Sequence, residues 1–195
     1  MGRYTSGHNY KLEGIRKMLV IGFYTSEYES ISKRLEDSCL DKDIQLELRA
    51  YDDRGSWEEN CGIKPEFILS MMEEFEQDLF YVDVDAEFAR DPDWSQFEHE
   101  ARIGVCCEKI NPPKWEVLSG SIFIPYNDMT IAIIKGWLRH CQNNPTEWDQ
   151  IMFAEILNKL SDEQWFRMNI EWCAIESFNI ESPIIRQLES SRETK

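Results

Sequence analysis

Apolar residues recur along this chain in two alternating periods. From Met18 the run MLVIGFYT is apolar almost throughout and bounded by polar residues, which predicts a buried strand. Behind it, SEYESISKRLEDSC sets Tyr28, Ile31 and Leu35 at helical spacing after a Ser26-x-x-Glu29 capping box. Ile44, Leu46 and Leu48 alternate with polar residues and predict a second strand over Ile44–Tyr51. DDRGSWEENCG reads as a loop, and a helix from about Pro65 carries Phe67, Ile68, Met71, Met72 and Phe75 on one face. LFYVDVD and RIGVCCE read as third and fourth strands, and VLSGSIFIPYN as a further one entered through a small-residue turn at Gly120. MTIAIIKGWLRHC shows Ile131, Ile134, Leu138 and Cys141 at helical spacing; PTEWDQIMFAEILNKL opens at Thr146 and turns Trp148, Met152 and Ile156 inward. Strands alternating with amphipathic helices predict an α/β fold with a mostly parallel sheet flanked by helices. No repeat or low-complexity linker divides the chain, so residues 1–195 read as one domain, with 1–15 a loose N-terminal segment.

The most informative stretch is LFYVDVDAEF, Leu79 to Phe88, where Asp83 and Asp85 end an unbroken apolar run. Side chains two apart on an extended chain point to the same side, so both carboxylates face one spot. Like charges that close repel unless a cation sits between them, and Mg²⁺ or Mn²⁺ prefers such hard oxygens. In parallel sheets ligands bind beyond the carboxyl ends of the strands, where these aspartates lie. A solvated turn after the strand is the alternative.

Charge narrows the partners. With 37 acidic against 21 basic side chains the net charge is -16, which disfavours direct binding to nucleic acid or an anionic membrane surface. The longest apolar runs fall far short of the ~20 residues that span a bilayer. Six cysteines without CxxC spacing predict reduced thiols and a cytoplasmic protein rather than a disulfide or metal framework.

The ordered series of a strand ending FYT, a Lys-Pro helix, a strand ending Asp83-Val84-Asp85, LSGSIFI, EWDQIMFAEIL and the closing SSRETK resembles nucleotide-diphospho-sugar transferases. These are small glycosyltransferases of the A fold (GT-A, Rossmann-like), related to the galactosyltransferase and glycogenin group and also found in bacteria and phages. The resemblance runs from Met18 to Lys195 and implies a single GT-A domain that moves a sugar from a nucleotide-diphosphate-sugar donor, with a UDP-sugar favoured, to an unidentified acceptor. It implies Asp83 and Asp85 as ligands of Mn²⁺ or Mg²⁺, Phe23, Tyr24 and Thr25 at the nucleotide base, and Ser119, Gly120 and Ser121 with Asp149 and Gln150 around the sugar. Lys64, Arg192 and Lys195, with Arg54, are the cations assigned to the diphosphate, the tail Ser190–Lys195 closing over the donor. Many relatives present a metal-binding His near the C-terminus, where this chain has IIRQLESSRETK, so Arg186 and Gln187 stand in that neighbourhood and no third ligand is assigned.

Several residues carry a second reading. Asp149 fits a T-x-x-D capping box with Thr146, or an acceptor-side base, or with Gln150 a means of steadying the sugar. Lys64 reads as a solvated residue ahead of its helix or as a phosphate contact, and Trp57 as loop packing rather than a ligand platform. The runner-up activity is a haloacid-dehalogenase-like phosphatase with a nucleophilic first Asp, although such a pair usually follows the first strand. A nucleotide-sugar-binding protein without transfer activity is the third.

Overall fold

The computed structural model describes residues 18–111 and 114–188. Its main sheet has six strands in the order β2-β1-β3-β6-β5-β7: β1 Leu19–Tyr24, β2 Gln45–Ala50, β3 Leu79–Val82, β5 Ile103–Asn111, β6 Lys114–Ile124 and β7 Trp165–Met168. β1 lies parallel to β2 and β3, β7 is parallel to β5, and β6 alone runs against its neighbours β3 and β5. The expected mostly parallel α/β sheet is thus present. A small second sheet, in the order β4-β9-β8, joins Ala86–Phe88, Ile185–Gln187 and Ala174–Ile175, three short strands that the hydrophobic pattern does not predict.

Both faces of the main sheet are covered, which explains why its central strands are apolar without alternation. In β3, Leu79 and Tyr81 point into a core shared with helix α3 (Ile63–Phe75), α4 (Asp128–Asn143) and α5 (Asp149–Leu157). Phe80 and Val82 point the other way, into a core of α1 (Glu29–Asp41), Phe97, Trp172 and the small sheet. Trp137 of α4 stacks on Phe153 of α5 at 4.1 Å and donates its indole N–H to the Asp149 carbonyl at 3.0 Å, so two helices are locked where α5 begins.

Four local expectations change. The Ser26 capping box does not form: Ser26–Tyr28 is a 3-10 turn, and α1 buries Ser32, Leu35 and Cys39, leaving Tyr28 and Ile31 to line a cleft. The DDRGSWEENCG segment contains helix α2, Trp57–Cys61, capped by Ser56, whose Oγ accepts the Glu59 N–H at 3.2 Å. Helix α5 starts at Asp149 rather than Thr146, without a side-chain cap. Gly120 lies within a continuous β6, because Val105 pairs with Ile122 and Cys106 with Leu118, so Ser119–Ser121 bulges out of the ladder with β5.

Candidate active site

The apolar run of β3 stops at Val82, and Asp83–Asp85 forms a turn in which the Ala86 N–H reaches the Asp83 carbonyl at 3.2 Å. The two aspartates therefore reach the cleft from this turn rather than from strand alternation. Two neighbours hold it: the Asp83 N–H bonds the Gly120 carbonyl at 2.9 Å in the β6 bulge, and the Leu188 N–H bonds the Asp85 carbonyl at 2.9 Å just past β9. Both aspartates border a cleft of about 540 Å³ beyond the carboxyl ends of β1 and β3.

Lys64, in the first turn of α3, is the hub beneath this cleft. It is buried, so the expected solvated lysine is corrected: its Nζ lies 3.1 Å from Asp83 Oδ1, 3.3 Å from Asp149 Oδ2 and 3.1 Å from Ser119 Oγ, above the Tyr81 ring. Burial by itself disfavours the ammonium, but Asp149 and Asp83 outweigh it and hold the Lys64 pKa above its ordinary value. Tyr81 donates its hydroxyl to the same Asp83 Oδ1 at 2.7 Å.

Asp149 is fully buried, with Oδ2 facing Lys64 and Oδ1 left without a hydrogen-bond partner among the described residues. Burial pushes its carboxyl pKa up; Lys64 offsets part of the rise and Asp83 adds to it. Its carboxylate thus faces Lys64 and Ser119, the contacts that replace the expected capping box. Gln150 follows it with the amide fixed at both ends: Oε1 accepts the Ser119 N–H at 3.2 Å and Nε2 donates to Glu116 Oε1 at 3.2 Å. Glu116 has no motif around it in the sequence, and only the fold brings it to Gln150.

The remaining expected residues divide. Phe23, Tyr24 and Thr25 border the cleft, but the Phe23 ring packs against Tyr51, Phe67 and Tyr81 and is 9% exposed. Ser119 borders the cleft as well, whereas Gly120 and Ser121 are absent from its lining and covered by Gln187 of β9. The Gln187 amide donates to the Gly120 carbonyl and to Ser121 Oγ, each at 3.0 Å. A Cβ on Gly120 would come 3.1 Å from the Gln187 side chain and 3.2 Å from Asp83 Oδ2, so the glycine admits these groups rather than a ligand. Arg54 pairs with Glu66 at 2.9 Å and is not among the residues lining this cleft. Arg192 and Lys195, with the whole Ser190–Lys195 tail, lie outside the described residues, as does the 1–15 segment.

Among the described residues no three His, Cys, Asp or Glu side chains converge as a metal cage. The cleft offers a cation two carboxylates, Asp85 and an Asp83 whose Oδ1 already accepts from Tyr81 and Lys64. This oxygen set fits Mg²⁺ or Mn²⁺ bound through one or two carboxylates and completed by substrate phosphate and water. The lining holds five carboxylates, Glu27, Asp53, Asp83, Asp85 and Asp149, against the single cation Lys64 among the described residues.

No family model and no curated protein matches the chain. In its fold the chain is similar to a solved structure, the crystal structure of a glycosyltransferase involved in the glycosylation of the major capsid of PBCV-1. The TM-score is 0.70 at 9% identity, over 90% of this chain and 94% of that one. The likeness is therefore one of architecture alone, an α/β fold shared with that protein.

Proposed function

We propose that this protein is a metal-dependent glycosyltransferase that takes a sugar from a nucleotide-diphosphate-sugar donor, with a UDP-sugar favoured. The observation that carries the reading is the Asp83–Asp85 turn, opening into a cleft of about 540 Å³ at the carboxyl end of β3 in a fold of this kind. Electrostatics supports the need for a metal. A diphosphate would enter a lining that, among the described residues, holds five carboxylates and one lysine already shared between Asp83 and Asp149. Without added positive charge that approach is repulsive.

Asp85, supported by Asp83, would hold the divalent ion, which when bound neutralises charge on the diphosphate leaving group. Lys64 keeps the Asp83 carboxylate oriented through Oδ1 and keeps Asp149 paired. Tyr24 and Thr25 would receive the base at the end of β1, a role the core-packed Phe23 ring serves from behind. Gln150, on the cleft wall and fixed by Ser119 and Glu116, would steady the sugar. Asp149, wholly buried at the edge of the cleft, would act through Lys64, which it positions, rather than directly on the acceptor.

Calorimetric titration of UDP in Mn²⁺ and in chelator tests the reading, together with product analysis on UDP-sugars. Binding in Mn²⁺ only, its loss in Asp85→Asn, and release of UDP and sugar are the expected results. Equal affinity in chelator would end the metal-dependent reading, and phosphate release from simple esters would point to the phosphatase instead.

A further inference from the structure

Trp57 and Trp148 come from distant parts of the chain and meet on the cleft wall. Their ring centroids are 5.6 Å apart with planes inclined at 48°, and both residues are half-buried and border the cleft. We infer that this pair is the docking platform for a neutral saccharide acceptor. The inference rests on the glycosyl-transfer reading and names the acceptor class for the same site.

Position is the first argument. Trp148 directly precedes Asp149 and Gln150, so the rings stand at the Gln150 side of the cleft, while Tyr24 and Thr25 lie at the end of β1. Rigidity is the second. Trp57 is the first residue of α2, whose start is held by the Ser56 cap, and the loop before it is tied by Asp53, which accepts from the Gly55 N–H at 2.7 Å and the Asn60 amide at 3.0 Å. A platform fixed before binding loses little entropy when a ligand arrives.

Chemistry is the third. Two other rings on the lining, Phe23 and Tyr81, are drawn into the core with Phe67, so the half-buried indoles add apolar surface at the wall. An indole offers a broad apolar face with one polar N–H. A pyranose is its complement, with a C–H face that covers a ring and hydroxyls that donate to carboxylates such as Asp53. The acidic lining repels phosphorylated or carboxylated acceptors, and the apolar ring faces ask for no charge, which together favour a neutral glycan.

The test uses the full chain with Mn²⁺ and a panel of neutral disaccharides (maltose, cellobiose, lactose and N,N′-diacetylchitobiose), followed by saturation-transfer NMR and titration. At least one should bind. Trp57→Ala and Trp148→Ala should each weaken it about tenfold or more, Trp57→Phe should keep most of the affinity, and UDP affinity should change less than about twofold. Unaltered melting temperatures would show that the variants fold. The inference is overturned if the Ala variants weaken UDP and leave the saccharide unchanged, which would make the rings a base site, or if glucuronic acid and sialyllactose, titrated alongside as anionic comparisons, bind while none of the neutral disaccharides does. Loss of UDP binding in the wild type, with Trp-dependent saccharide binding intact, would instead remove the glycosyl-transfer reading and leave the platform standing.

Discussion

Replacing Lys64 by Met keeps the length of the side chain and removes its charge from the most buried ionic cluster of the site. The variant loses the contacts to Asp83 Oδ1, Asp149 Oδ2 and Ser119 Oγ, at 3.1, 3.3 and 3.1 Å. Asp83 keeps a partly exposed side chain and can be resolvated, but Asp149 has no accessible surface and, among the described residues, no second cation. Removing one member of such a pair costs about 3 to 5 kcal/mol, because the other charge is left buried. For a chain of this size each kcal/mol moves the melting temperature by roughly 2–4 °C, so a fall of about 6–20 °C is expected near neutral pH. The sign of the pH dependence follows from Asp149, whose folded pKa is already raised by burial and rises further without Lys64. The native state then holds a proton that the unfolded chain releases, so stability falls as pH climbs above about 4, the ordinary Asp value. Thermal unfolding near pH 5 and near pH 8 should therefore show the larger loss at the higher pH, and adding Asp149→Asn should restore a good part of it. A loss independent of pH, or a double variant no better than Lys64→Met alone, would refute the assignment of Asp149 as the stranded charge.

Three further outcomes are expected. Gly22→Ala places a Cβ 2.8 Å from Leu48 Cδ2 and 2.9 Å from the Val82 carbonyl oxygen; since the backbone of β3 cannot yield, a loss of about 1 to 3 kcal/mol should appear in denaturant unfolding, and unchanged stability would contradict the close approach. Gly120→Ala presses on Gln187 and Asp83 Oδ2, so Mn²⁺-dependent UDP affinity should fall several-fold; an unaffected affinity would show that Asp83 tolerates displacement. In competition titrations with Mn²⁺, uridine diphosphate should bind more tightly than guanosine diphosphate, and the reverse order would remove the favoured base.

Local pattern determined much of the architecture. The unbroken apolar runs of β1 and β3 mark strands covered on both faces, and Phe67, Ile68, Met71 and Met72 mark the buried stripe of α3. The Asp83–Asp85 pair stood out because two charges at the end of such a run contradict the pattern before them. What the pattern misread were residues whose surroundings come from far along the chain. Lys64 looks like a solvated lysine because no acidic residue stands three or four positions from it to pair with; its partners are 19 and 85 positions away, at Asp83 and Asp149. Gly120 suggests a turn in isolation, yet it is small because Gln187 arrives from β9. Strands β8 and β9 are only two and three residues long, too short for any period to register. Hydrophobic periodicity reports how each segment meets the core as a whole, whereas the partner of a buried charge or a missing Cβ is chosen by chain crossings, and those exist only once the sheet has assembled.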